Sequence, residues 1–205
     1  MPRAIQVLAL LSIVVTCAVA ASSASAHAFF IEGKEVVKGE HIAATGSVKS
    51  GVVRAEGFTV ECKKNAPKVE LEGEGLTKSE DSSSECHVLQ DAACKIAEPI
   101  KAVLKSELVI SEGKLAARVT PETGTTFASS TASGCNHSEL DGEWSLKGSQ
   151  INQLPEAEVE KEAHEYVTRP SGSSLTLSGR FGSFEAEAEG SGTTTLVSKK
   201  KWSAK

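Results

Sequence analysis

The sequence predicts an all-β protein, an antiparallel β-sandwich or partly open barrel, with one short surface helix near 155–167. Three observations predict it. Short runs of residues alternate apolar and polar with period two, the signature of a strand with one wet face. Gly, Ser, Thr and Asn interrupt these runs every eight to twelve residues, as in sandwiches and barrels. Four cysteines follow an export-type N-terminus, and paired cysteines are common in exported β-domains.

The N-terminus comes first in the chain. Met1-Pro2-Arg3 is a short positive start, and Ala4 to Ala21 carries no charge. Ala24-Ser25-Ala26 supplies the small-x-small pattern of a signal-peptidase site, so residues 1–26 read as a secretory signal cut after Ala26. Residues 27–205 then form a single secreted β-rich domain, and no membrane span is expected after cleavage. Val14-Val15-Thr16-Cys17 has the shape of a lipoprotein processing box, but Thr16 stands where Gly, Ala or Ser is usual. Cys17 therefore reads as a filler of the signal core that leaves with it; the alternative is lipidation at Cys17 and a surface anchor.

The mature chain keeps Cys62, Cys86, Cys94 and Cys135, an even set that an oxidising compartment would join into disulfides. Four cysteines allow three pairings. The eight-residue spacing of Cys86 and Cys94 suits a bridged hairpin or loop, which leaves Cys62 with Cys135.

The strands follow in order. Phe58-Thr59-Val60-Glu61-Cys62 alternates, and so does Lys68-Val69-Glu70-Leu71-Glu72. Ser79 to Glu85 reads as a polar loop ahead of Cys86. Leu108-Val109-Ile110 and Leu115 to Val119 read as two strands joined by Ser111-Glu112-Gly113-Lys114, a hairpin loop containing glycine. Glu143 to Lys147, Ser174 to Leu177, Phe184 to Glu189 and Thr193 to Val197 complete the series. Pro155 to Val167 breaks the alternation. Pro155 suits a first helical turn, early acidic residues complement the helix dipole, and Val159, Ala163 and Tyr166 fall at helical spacing. Lys199-Lys200-Lys201 reads as an edge-strand guard.

Composition excludes several function classes. There are 22 Lys+Arg against 27 Asp+Glu, a formal charge of −5, so there is no basic field for nucleic acid. The serine-hydrolase elbow, the phosphate loop and the dinucleotide fingerprint are missing from the sequence, so no cofactor is expected. Glu185, Glu187 and Glu189 share one strand face, as do Glu70, Glu72 and Glu74. Two such carboxylates across a cleft would serve a glycosidase, yet alternation alone puts such rows on any wet sheet face. Cys86, Cys94, Cys135 and a histidine could hold zinc, but no Cys-x-x-Cys or His-x-x-x-His spacing supports it, and no metal is expected. His41, His87, His137 and His164 are scattered and read as surface or boundary residues. Trp144 lies in an alternating strand and reads as core, although an exposed aromatic would suit a sugar platform.

Several short stretches together resemble a known group. They are Val60-Glu61-Cys62, the Cys86 and Cys94 pair, Ile100 to Leu104, Gly124-Thr125-Thr126-Phe127 leading to Cys135, Gly142 to Gly148 with Trp144 at its centre, and Lys201-Trp202. The chain is similar in these to a populous group of uncharacterised, cysteine-paired secreted proteins of soil actinobacteria. The resemblance covers most of residues 30 to 205, with 155–169 departing from it. It implies an extracellular or wall-facing β-rich domain and transfers no catalytic residue.

The function expected from the sequence is that of an exported, non-enzymatic extracellular or cell-surface domain, with a glycan or wall polymer as the specific partner. The alternative, from another class, is a secreted hydrolase that uses a Glu pair.

Overall fold

The computed structural model describes residues 27–180 and 182–205; residues 1–26, on which the expected signal and Cys17 fall, and Phe181 lie outside the described residues. Fourteen strands account for most of the described chain: β1 (Phe29–Ile31), β2 (Lys34–Glu35), β3 (His41–Ala55), β4 (Phe58–Asn65), β5 (Lys68–Glu72), β6 (Leu76–Val88), β7 (Lys95–Ile96), β8 (Ile100–Ser111), β9 (Lys114–Pro121), β10 (Thr126–Ser133), β11 (Gly142–Gln153), β12 (Ala163–Gly179), β13 (Gly182–Leu196) and β14 (Trp202–Ala204). Every pairing is antiparallel.

The main sheet closes on itself as an eight-stranded barrel. The circuit runs β3-β5-β6-β8-β9-β11-β12-β13 and returns to β3. Closure removes the exposed edges that an open sheet would have to guard. Five of these strands are long enough to continue past it. At the far end β4, β7 and β10 take the places of β5, β8 and β9, bridging β3 to β6 and β6 to β11. The long strands must therefore change partners midway. β11 does so at Gly148: residues 142–147 pair with β10, and residues 150–153 pair with β9. Gly148 has φ 117°, and a Cβ there would lie 1.8 Å from the Ser174 carbonyl oxygen, so only glycine fits the bend.

Two apolar clusters fill the two ends. Phe58, Val60, Val88, Leu140, Trp144, Leu146, Leu175 and Leu177 pack under β4, β7 and β10. Leu71, Leu108, Leu115 and Leu196 pack at the opposite end with Phe29, Val36, Trp202 and Ala204. The last four come from the small sheet β14-β1-β2 and the residue that follows β2, so this sheet seals that end. Ala28 and Lys205 exchange two backbone hydrogen bonds, which ties the two ends of the described chain together.

The hairpin expected around Ser111–Lys114 is present, with Ser111 opposite Lys114 and both Glu112 and Gly113 at positive φ. Trp144 is in the core, as expected, and its indole N–H donates to the Leu140 carbonyl at 2.8 Å. The helix expected near 155–167 does not form. Residues 155–159 are turns that bury Ala157, and β12 begins at Ala163. Pairing with β13 over residues 163–168 outweighs the helical spacing, because it buries His164 and Thr168 on one face. His164 is thus a core residue and not a surface one. Ser79–Glu85 is the middle of β6, not a loop. Lys199–Lys201 lies in the turn between β13 and β14, where Lys200 pairs with Glu32, and guards no edge strand.

The disulfides form between the expected cysteines but in a different pairing, Cys62–Cys86 and Cys94–Cys135. Cys62 and Cys86 are direct register partners on β4 and β6. Cys94 lies just before β7 and Cys135 just after β10, two strands that pair with each other. Strand register therefore chose the partners, and sequence spacing did not.

Candidate functional site

Between the two apolar clusters the barrel wall turns polar on its inner face. β6 contributes Thr77, Ser79, Asp81 and Ser83 at period two, with Lys78 and Glu80 exposed on the outer face. β4 adds Asn65, β8 adds Ser106, β11 adds Gln150 and Asn152, and β12 adds Tyr166 and Thr168. Together with apolar side chains from both clusters they line a cavity of about 300 Å3. That volume lies at the lower end of the range of small-molecule sites, and an eight-stranded barrel has room for filling side chains or one small ligand.

Part of this belt satisfies itself. Gln150 Nε2 donates to Asn152 Oδ1 at 2.7 Å, and the Thr168 hydroxyl donates to the same oxygen at 2.9 Å. The opposite part does not. Asp81 Oδ1 and Asn65 Oδ1 are buried without a hydrogen-bond partner among the described residues. Burial pushes the Asp81 carboxyl up to about 6, against the ordinary 3.8, and a hydrogen bond from Ser79 offsets part of the rise. Tyr166 is pushed up to about 12, by burial first and by the negative charge of Asp81 second. Asp81 and Tyr166 thus act on each other inside the barrel. The indole N–H of Trp202, another lining residue, is also buried without a partner.

The charge of the lining is one-sided. The charged side chains on it are Asp81 and Glu189, and Lys, Arg and His are absent from it among the described residues. Glu189 is half exposed and pairs with Arg54. Asp81 is therefore the carboxylate that the lumen holds without a cation.

The residues singled out in the sequence lie mostly elsewhere. Glu185 and Glu187 are exposed on the outer face of β13. Glu70 and Glu72 lie beside His41, whose Nδ1 is 3.3 Å and 3.6 Å from their carboxylates, and Glu72 also pairs with Lys78. Neither row forms a cleft with two facing carboxylates. Glu98 and Glu143 both line a second, more open surface hollow. There the Glu98 carboxylate accepts the backbone N–H groups of Glu85 and Cys86, so both of its oxygens are engaged in holding β6. Asp91 is likewise structural. Burial alone would raise its carboxyl, but the amide hydrogens of His137, Ala93 and Asn136 and the Asn136 side chain outweigh that and hold it below the ordinary value. It thereby ties the loop before Cys94 to the loop after Cys135. Trp144 and Trp202 are both buried, so neither offers a surface platform for a sugar.

Sequence reasoning missed the belt because its residues look like those of a solvated loop. The available signal was the alternation of small polar side chains (Thr77, Ser79, Asp81, Ser83) with long charged ones (Lys78, Glu80). Comparison with known proteins adds nothing to this geometry: no family model, no curated protein and no solved structure matches the chain.

Proposed function

We propose that the protein is exported and acts outside the cytoplasm as a non-enzymatic carrier or receptor that holds a small ligand inside its barrel. The observation that carries this reading is the cavity between two apolar ends, with a belt of polar side chains around its middle. Such a lining suits a mostly apolar molecule oriented by a few polar contacts. Export is supported by the signal-like residues 1–26 and by the two disulfides, which fit an oxidising compartment. No helix of the described chain is long and apolar enough to cross a membrane. The Ala28–Lys205 pairing and the small-sheet seal are both made by residues that follow the expected cut.

A wall polymer or glycan is the less supported ligand, since a polymer would have to lie on the outer face, where both tryptophans are out of reach. The ligand reading is tested with the neutral apolar dye N-phenyl-1-naphthylamine. The expected result is saturable, single-site fluorescence enhancement that is lost when Ala102→Phe fills the lumen and leaves both disulfides formed. Dye binding that is absent, or that survives Ala102→Phe, would overturn it. Intact mass of the exported form checks the location, with His27 expected as the first residue and no lipid on Cys17.

A further inference from the structure

We propose that the lumen selects a cationic amphiphile, an alkylammonium head on an apolar body, with the head seated against the Asp81 carboxylate and the Asn65 side-chain oxygen. This rests on the reading of the lumen as a ligand site and adds the chemical class of the ligand.

Three observations converge on a cation. Two side-chain oxygens on neighbouring strands, Asp81 Oδ1 on β6 and Asn65 Oδ1 on β4, are buried and unpartnered among the described residues. Asn65 is in register with Ser83, two positions along β6 from Asp81 on the same face. Diagonal neighbours of this kind lie roughly 7–8 Å apart at the backbone, within reach of one group between their side chains. The lining contributes no Lys, Arg or His among the described residues to neutralise the carboxylate. A buried carboxylate without a counterion is costly, so a ligand that supplies the counterion gains what the empty site lacks. An ammonium brings three N–H donors and no acceptor, which matches two orphaned acceptors. A carboxylate ligand would meet like charge, and an alcohol would satisfy one acceptor and leave the charge unpaired. A calcium ion needs about six to eight oxygens, more than these two residues provide.

The remainder of the cavity favours the body of such a molecule. Ala102 flanks Asp81 on β8 and is small, so the carboxylate stands open to the lumen on that side. Val69, Leu71, Leu104 and Val119 supply apolar wall, and Tyr166 adds aromatic surface to the same lining.

The test is calorimetric titration of the disulfide-intact protein near pH 8 with hexylammonium chloride, 1-hexanol and sodium hexanoate, which share one chain length and differ in the head. Hexylammonium is expected to bind at least about tenfold more tightly than 1-hexanol, and hexanoate most weakly, because hydrogen bonds to a charged group are the stronger ones. Asp81→Asn keeps the shape and removes the charge; it should cost hexylammonium about tenfold and leave 1-hexanol within about twofold. Asn65→Ser should cost hexylammonium a smaller factor and serves as the second variant. Hexanol binding as tightly as hexylammonium, or hexylammonium binding that ignores Asp81→Asn, would overturn the cationic preference and leave the ligand reading standing. If none of the three probes binds, the ligand reading itself fails, and this inference fails with it.

Discussion

Tyr166 occupies the space that a side chain on Gly192 would need. The two residues are register partners on β12 and β13, and a Cβ on Gly192 would lie 2.6 Å from both Cζ and Oη of Tyr166 and 2.4 Å from the Ser47 carbonyl oxygen. The missing side chain on one strand thus seats the aromatic ring from the next at the cavity wall. Gly192→Ala is expected to force the ring aside and cost about 1–3 kcal/mol, the usual range for overpacking. Tyr166 is the only tyrosine of the chain. Its ionisation, read by ultraviolet absorbance, should fall from about 12 toward the ordinary 10 in the variant. An unchanged titration would mean that the ring does not depend on Gly192.

The two disulfides close loops of comparable length, with sequence separations of 24 and 41. The loop-entropy model then gives each about 3–4 kcal/mol. Replacing Cys62 and Cys86 together, or Cys94 and Cys135 together, by serine should shift the urea midpoint by similar amounts. Peptide mapping without reduction should recover the 62–86 and 94–135 links; a 62–135 link would contradict the register of β4 with β6.

Asp81 sets a pH dependence with a definite sign. Its carboxyl sits at about 6 in the fold and near 3.8 when unfolded. Between those values the folded chain holds a proton that the unfolded chain has released, so stability falls as pH rises from about 4 to 6 and the full cost persists above 6. The shift corresponds to a cost on the order of 3 kcal/mol. Asp81→Asn should therefore be more stable than the natural protein at pH 7.5 and nearly equal to it near pH 4, as read from urea unfolding at both values.

His164 sets the opposite slope. It is buried in β12, its Nε2 lies 2.7 Å from the Trp202 carbonyl oxygen, and its ring meets the Trp202 ring at 4.2 Å. Burial holds its pKa below the ordinary 6.5, and the Trp202 carbonyl opposes this only in part. Acidification below 6.5 favours the unfolded chain, which takes up the proton first. In the Asp81→Asn background the opposing carboxylate contribution is removed, and the His164 contribution should lower stability on acidification between pH 7 and 5. His164→Gln should flatten that decline while loosening the seal formed by β14.

Some features were legible in the chain and others were not, for reasons that particular residues make plain. The hairpin at Glu112-Gly113 was readable because the turn is local and its strands pair next to it. Trp144 was readable as core because alternation assigns it a face. The segment from Pro155 to Val167 misled, since Val159, Ala163 and Tyr166 satisfy helical spacing while the decisive partner, β13, lies some thirty residues away in the chain. The cysteine pairing misled in the same way: proximity in sequence favoured Cys86 with Cys94, and register placed Cys62 opposite Cys86.

By itself the sequence determined that the chain alternates, turns often and carries an even set of cysteines behind a signal-like start. Those are local properties of backbone and side-chain chemistry. Only the tertiary structure decided which face of β6 looks inward. Alternation separates Thr77, Ser79, Asp81 and Ser83 from Lys78 and Glu80, but it does not say which set meets water. Closure of the sheet into a barrel answered that, because the narrow interior admits short polar side chains while long charged ones reach solvent only from outside. The same closure left one carboxylate in the lumen, that of Asp81, without a cation among the described lining residues.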